Sequence, residues 1–116
     1  MYKIYQSADL PHTPGGTLRF EGALYGSDAS FFHVNVEPGK GSTLHKHPYP
    51  ETWIVRAGNV RFTVGGEQIE ATSGAIVIGA KAVPHKFVNL GPGRLEMICI
   101  HPSPQILQEA VTEDFT

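Results

Sequence analysis

The 116-residue chain carries 41% hydrophobic and 17% charged residues and a formal net charge of −2. That size suits one compact domain, residues 1–116, able to bury a core without disulfide staples, and that balance excludes a disordered chain. Neither sign of charge is massed in a run and no apolar run approaches bilayer-spanning length, so composition gives no reason to expect a nucleic-acid or membrane partner.

The opening "MYKIYQSADLPHTP" lacks an apolar core followed by a small-residue cleavage site, and the one cysteine, Cys99, cannot form an internal disulfide. Both features favour a soluble cytoplasmic protein. Thirteen glycines and nine prolines are spread along the chain and punctuate many short elements. The first two, "TLRFEGALYG" (residues 17–26) and "SFFHVNVEPG" (residues 30–39), alternate and are rich in β-branched or aromatic residues, as strands are. "ETWIVRAG" then runs into "NVRFTVGGEQIEA", where Gly65-Gly66 between two alternating runs predicts a hairpin. "GAIVIGA", "HKFVNLG" and "RLEMICIH" follow at short intervals. No internal segment shows a 3.6-residue apolar period. Only the tail, "SPQILQEAV" (residues 103–111), predicts a helix, with Ser103 as N-cap and Pro104 at the first helical position. The expectation is an all-β sandwich or barrel with a short C-terminal helix.

Chemistry concentrates in "LHKHPYPETW" (residues 44–53). In an extended segment His45 and His47 point to one face and Leu44 and Lys46 to the other. A bend at "PYP" returns Glu51 beside the two imidazoles, and Trp53 and Val55 share its face. His85 opens a later strand, in phase with Phe87 and Asn89. Three imidazoles and one carboxylate converging from different strands suit a borderline divalent ion such as Mn, Fe, Ni or Zn. On an octahedral ion they leave two positions open; on tetrahedral zinc they leave none.

Glycine, five residues, H-x-H, three residues, E, six residues and glycine describe the stretch from Gly39 to Gly58. This resembles the first cupin motif at every fixed position. Residues 74–89 are similar to the second, keeping Gly74, His85 and Asn89 in register, but Ala80 and Ala82 stand where proline and glycine are usual. Fifteen residues separate the motifs, as in small single-domain cupins of the conserved-barrel type. The resemblance implies a double-stranded β-helix, or jelly-roll barrel, with His45, His47, Glu51 and His85 as metal ligands.

The other singled-out residues divide by phase. Trp53, Phe62 and Phe87 are candidates for the wall of a substrate pocket, with core packing as the alternative. Gly39, Gly58 and Gly74 read as turn residues with positive φ, and Asn89 as structural. His33 points away from the apolar face of Phe32, Val34 and Val36, while His12 and His101 are expected at the surface. Cys99, in phase with Leu95 and Met97, reads as a small buried apolar residue. No nucleophile elbow or phosphate-binding loop accompanies the metal set. Two functions stay open: a metal-dependent enzyme of dioxygenase, isomerase or lyase type acting on a small organic molecule, or a non-catalytic metal or small-molecule binding and sensing domain. A homodimer is expected, with "YKIYQ" crossing to a neighbour and outward apolar residues such as Ile54 covering the contact.

Overall fold

The computed structural model describes residues 1–113. Its strands are β1 (Leu18–Phe20), β2 (Ser30–Val36), β3 (His45–Lys46), β4 (Glu51–Ala57), β5 (Asn59–Val64), β6 (Glu67–Thr72), β7 (Ile76–Gly79), β8 (His85–Asn89), β9 (Leu95–His101) and β10 (Glu109–Ala110). Two single-turn 3₁₀ helices, Ser7–Asp9 and Gly22–Leu24, are the only helical elements among the described residues. The strands form two five-stranded antiparallel sheets, ordered β1-β2-β9-β4-β7 and β10-β3-β8-β5-β6. The two ladders remain separate, so the expected closed barrel is instead an open double-sheet jelly roll. The sheets meet through side chains.

Gly65 and Gly66, at φ +57° and +86°, make the two-residue turn that pairs Val64 with Glu67, as the sequence predicts. Gly39, Gly58 and Gly74 also have positive φ. The first predicted strand is shorter than expected. After Phe20 the chain turns, because the Gly22 N–H donates to Ser30 Oγ at 2.9 Å and the carbonyls of Ser27 and Ala29 close over Gly22. Residues 2–6 form no strand within the chain; Tyr5 packs edge-on against Tyr25.

The predicted C-terminal helix is absent, and tertiary partners explain why. Ile106 N–H donates to Glu21 Oε2 at 2.9 Å, Leu107 N–H to Tyr49 Oη at 3.2 Å, and Val111 N–H to the Leu44 carbonyl at 3.1 Å. β10 pairs with β3. Backbone groups that a helix would satisfy internally are taken up across the fold, and local propensity loses to them.

The core lies between the sheets and unites Val34, Val55, Leu95 and Met97 with Trp53, Val60 and Phe62. Trp53 stacks on Phe62 with ring centroids 4.8 Å apart, and its indole lies against Gly79 so closely that no Cβ fits there. Both rings are core, 2% and 0% exposed, which corrects their reading as pocket walls. Ala82 occupies the left-handed region at φ +62°, where its N–H donates to the His47 carbonyl at 2.8 Å. The turn of the second motif thus keeps the conformation that glycine would adopt freely, at a steric cost to alanine.

Two stability measurements follow. Phe62→Ala lowers the urea midpoint by an amount equivalent to about 3–5 kcal/mol at constant slope. Ala82→Gly raises it by about 1 kcal/mol, because relief of the left-handed strain outweighs the added freedom of glycine in the unfolded chain.

Candidate metal centre

β4 and β9 each run between the apolar core and a polar end. Along β4 the inward residues are Glu51, Trp53 and Val55; along β9 they are Leu95, Met97, Cys99 and His101. The second sheet meets this polar end with His45 on β3 paired to His85 on β8. His47 follows β3 on the same face, and the turn at residues 48–50 returns the chain to Glu51.

The candidate donor atoms of His45, His47, Glu51 and His85 all lie within 4.8 Å of one another, and all four residues are buried. Glu51 Oε1 is 3.0 Å from both His47 Nε2 and His85 Nε2. The outer nitrogens of two rings are tied back: His45 Nδ1 to the Thr43 carbonyl at 2.6 Å and His47 Nδ1 to the Leu107 carbonyl at 2.7 Å. As donors to carbonyls, those Nδ1–H groups leave Nε2 of each ring as the lone-pair nitrogen, the tautomer a metal needs. His85 is held differently, its ring lying edge-on to Trp53 at 4.8 Å.

His47 Nε2, both ring nitrogens of His85, His101 Nε2 and Glu51 Oε1 are buried polar atoms without an aligned hydrogen-bond partner. Such orphaned acceptors converging on one point fit a divalent transition metal better than a hydrogen-bond network. Burial opposes the Glu51 charge, but contacts from His101, His47 and His85 outweigh it and hold the carboxyl well below its usual range. Burial together with its imidazole neighbours pushes His45 down, against the Thr43 carbonyl and Glu51. Burial also lowers His47, but the Glu51 carboxylate and the Leu107 carbonyl reverse the direction and raise it. Glu51 is therefore anionic, and His45 favours its neutral, ligating form.

A cavity of about 310 Å³ opens beside these groups, with Glu51, His45, Phe87, Phe32, Val34 and Thr17 in its wall. Phe87 lines it, whereas Trp53 and Phe62 lie behind it in the core. Cys99 also lines it, a buried thiol whose burial and proximity to Glu51 push its pKa up. His33 points outward toward Glu96 at 3.4 Å, and His12 is exposed. Asn89 is structural: its amide donates to the carbonyls of Val36 and Gly93, and its oxygen accepts the Gly91 N–H.

The surface reading of His101 is overturned. It is 1% exposed, with Nε2 3.1 Å from Glu51 Oε2 and Nδ1 2.6 Å from Tyr49 Oη. The alternation Leu95, Met97, Cys99, His101 carried the signal, since a strand in phase to residue 99 turns residue 101 inward as well.

A family model described as "Cupin domain" matches residues 32–101. No curated protein gives a significant match. Among solved structures, a variant of Bacillus subtilis oxalate decarboxylase aligns with TM-score 0.81 and 19% identity, over 92% of this chain and 31% of that one. Lactobacillus farciminis oxalate decarboxylase in a formate complex gives 0.78 and 17%, over 90% and 34%. A third, a study of the Mn(II) centres of the Bacillus subtilis enzyme, gives 0.75 and 21%, over 87% and 29%. The chain spans about a third of the length of these proteins.

The donor set makes a direct prediction. His45→Ala and His85→Ala each lose most of the divalent metal that co-purifies with the wild type, by elemental analysis, whereas His33→Ala retains it. Full metal content in either of the first two removes that residue from the ligand set.

Proposed function

The chain belongs to the cupin family, and from that premise we propose that it is a metal-dependent enzyme acting on a small organic molecule. The reaction is of dioxygenase, isomerase or lyase type. One observation carries the proposal: Glu51 and His45, two of the four donors, are themselves part of the cavity wall. A molecule in the cavity therefore sits against the metal centre. His45, His47, Glu51 and His85 would hold the ion, and four donors on a six-coordinate ion would leave two positions for other ligands. Bound there, a divalent metal supplies Lewis-acid polarisation of a substrate oxygen or, with a redox-active ion, activation of dioxygen.

The chain's own residues select what enters. Phe32, Val34, Val36 and Phe87 give the cavity an apolar side, and Thr13 and Gln108 add polar groups near its rim of hydroxyls and amides. Among the described residues no lysine or arginine lines it. That lining suits a molecule with one oxygen-bearing end for the metal and an apolar or aromatic body. It suits oxalate poorly, since a second carboxylate would find no cation beyond the metal itself.

A non-catalytic binding or sensing domain is the second reading, and the state of the cavity hydroxyls favours it. Thr17 Oγ1 accepts the Asn35 N–H at 3.1 Å and Ser42 Oγ accepts the Phe87 N–H at 3.2 Å. Both hydroxyl oxygens hold backbone amides, which gives them a structural task in the cavity wall. We further propose a cytoplasmic homodimer. Ile76 and Ile78, about two-thirds exposed on the edge strand β7, and the neighbouring Ile54 give an apolar surface of the kind that pairing covers.

The two readings separate in one experiment. Protein purified without added metal is analysed for bound element, then exposed to a panel of small oxygen-bearing apolar molecules while the metal's spectrum and dioxygen uptake are followed. The enzyme reading expects a redox-active or octahedral ion whose spectrum shifts on ligand binding, with uptake or product formed. Tight tetrahedral zinc with no spectral response and no turnover sinks it and leaves the binding domain.

A further inference from the structure

The polar end of the fold contains a buried chain of side chains that extends past the four donors. The β4–β9 register pairs Thr52 with Ile100 and Trp53 with Cys99, which sets Glu51 directly across from His101. His101 Nε2 lies 3.1 Å from Glu51 Oε2, and its Nδ1 lies 2.6 Å from Tyr49 Oη. Tyr49 Oη is in turn 3.2 Å from the Leu107 amide. The Tyr49 ring lies parallel to that of His47, 5.2 Å centroid to centroid, which fixes where the phenol oxygen sits.

An amide N–H can only donate, so the Tyr49 oxygen accepts from Leu107. The phenol keeps a proton and a second lone pair, so it can donate to His101 Nδ1 or accept from it, and the first arrangement puts the proton of a neutral imidazole on Nε2, facing the Glu51 carboxylate. The two oxygens of Glu51 are thereby divided. Oε1 faces His47 Nε2 and His85 Nε2, each 3.0 Å away, and Oε2 faces His101.

We propose that Tyr49 and His101 form a positioning pair for the metal centre, in which His101 Nε2–H holds Glu51 Oε2 and leaves Oε1 as the single carboxylate donor. The proposal rests on the metal reading of His45, His47, Glu51 and His85. His101 is outside that ligand group and acts through Glu51. Such a division of the oxygens would favour monodentate binding, since an oxygen held by a hydrogen bond is less available to an ion. The pair also ties the centre to the C-terminal segment, because Leu107 supplies both the amide to Tyr49 and the carbonyl to His47. A carboxylate ligand oriented by an outer hydrogen bond binds its metal more tightly than a free one.

The test compares wild type, His101→Ala, His101→Gln and Tyr49→Phe, each stripped of metal and titrated with Mn(II). Free Mn(II) is counted by its six-line electron paramagnetic resonance signal, and the spectrum of the bound ion is recorded alongside. His101→Ala is expected to weaken Mn(II) binding by roughly 10–100-fold and to change the bound spectrum. His101→Gln, whose amide N–H can reach Oε2, recovers most of both. Tyr49→Phe keeps the ring against His47 and shows a smaller loss in the same direction. Circular dichroism of the metal-free proteins separates this from misfolding, and if His101→Ala does not fold, the Gln and Phe variants decide. Unchanged affinity and spectrum in the folded variants overturn the proposal while leaving the four-donor reading intact. A nitrogen coupling to the bound ion that vanishes in His101→Ala and does not return with Gln makes His101 a ligand and overturns it too. A wild type that binds no divalent metal overturns both readings together.

Discussion

Glu51 is a carboxylate buried where the two sheets face each other, and the organisation of that end of the fold follows from the need to satisfy it. An ionised carboxylate removed from water costs several kcal/mol unless positive or donor groups surround it. Here the groups come from both sheets: His85 from β8, His47 from the end of β3, and His101 from β9. None is close to the carboxylate unless the β4–β9 register, the β3–β8 pairing and the bend at residues 48–50 are all in place. The sheets share no hydrogen-bond ladder, so the apolar core at one end and this charged cluster at the other are what hold them face to face. A divalent cation strengthens the second of these links, because it replaces weakly aligned imidazole–carboxylate contacts with direct ligation and is itself stabilised by the buried negative charge.

The same strands serve core and site, which gives the centre its rigidity. Glu51 is followed inward on β4 by Trp53, wedged between Phe62 and Gly79, with His85 against its edge. His101 is preceded on β9 by Cys99, Met97 and Leu95, all buried. Side chains placed on packed strands keep their direction far better than side chains on loops, and a metal centre depends on direction. The misassigned pocket residues gain a role in this light. Trp53 and Phe62 do not touch the cavity, but the ring of His85 is braced by the indole that they anchor.

How much of this was legible in the sequence depends on the range of the interaction involved. The shared face of His45 and His47 follows from strand alternation, a local property; Glu51 and His85 join them as the cupin resemblance implies, and the four stand together in the structure. The hairpin at Gly65-Gly66 is local as well. Long-range features escaped. Whether two sheets join into a barrel depends on which strands end at their edges, a long-range outcome, and a two-residue strand such as β10 leaves no alternation to read. Ser103 and Pro104 offer a sound local signal for a helix, yet the backbone beyond them is claimed by Glu21, Tyr49 and Leu44 from distant parts of the chain. His101 is the instructive exception. Its inward phase was present in the alternation of β9, but a histidine ending an apolar strand reads as surface unless a partner is known, and the partner, Glu51, lies across a strand pair.

The C-terminal segment therefore belongs to the site and is not an appendage to it. A helix over residues 103–111 would have turned the Leu107 carbonyl along its own axis to an amide four residues on. Outside a helix, the same residue points its carbonyl at His47 Nδ1 and its amide at Tyr49 Oη, so one residue orients a proposed metal ligand and the side chain beside His101. His45 has its own tether in the Thr43 carbonyl, and His85 has only packing. Of the three proposed imidazole ligands, His47 is the one whose ring nitrogen is held by the far end of the chain. The irregular conformation that defeats the helix signal is thus the conformation the centre requires. Local propensity yields there because a helix would forfeit several tertiary hydrogen bonds at once, one of them to the buried ring of His47.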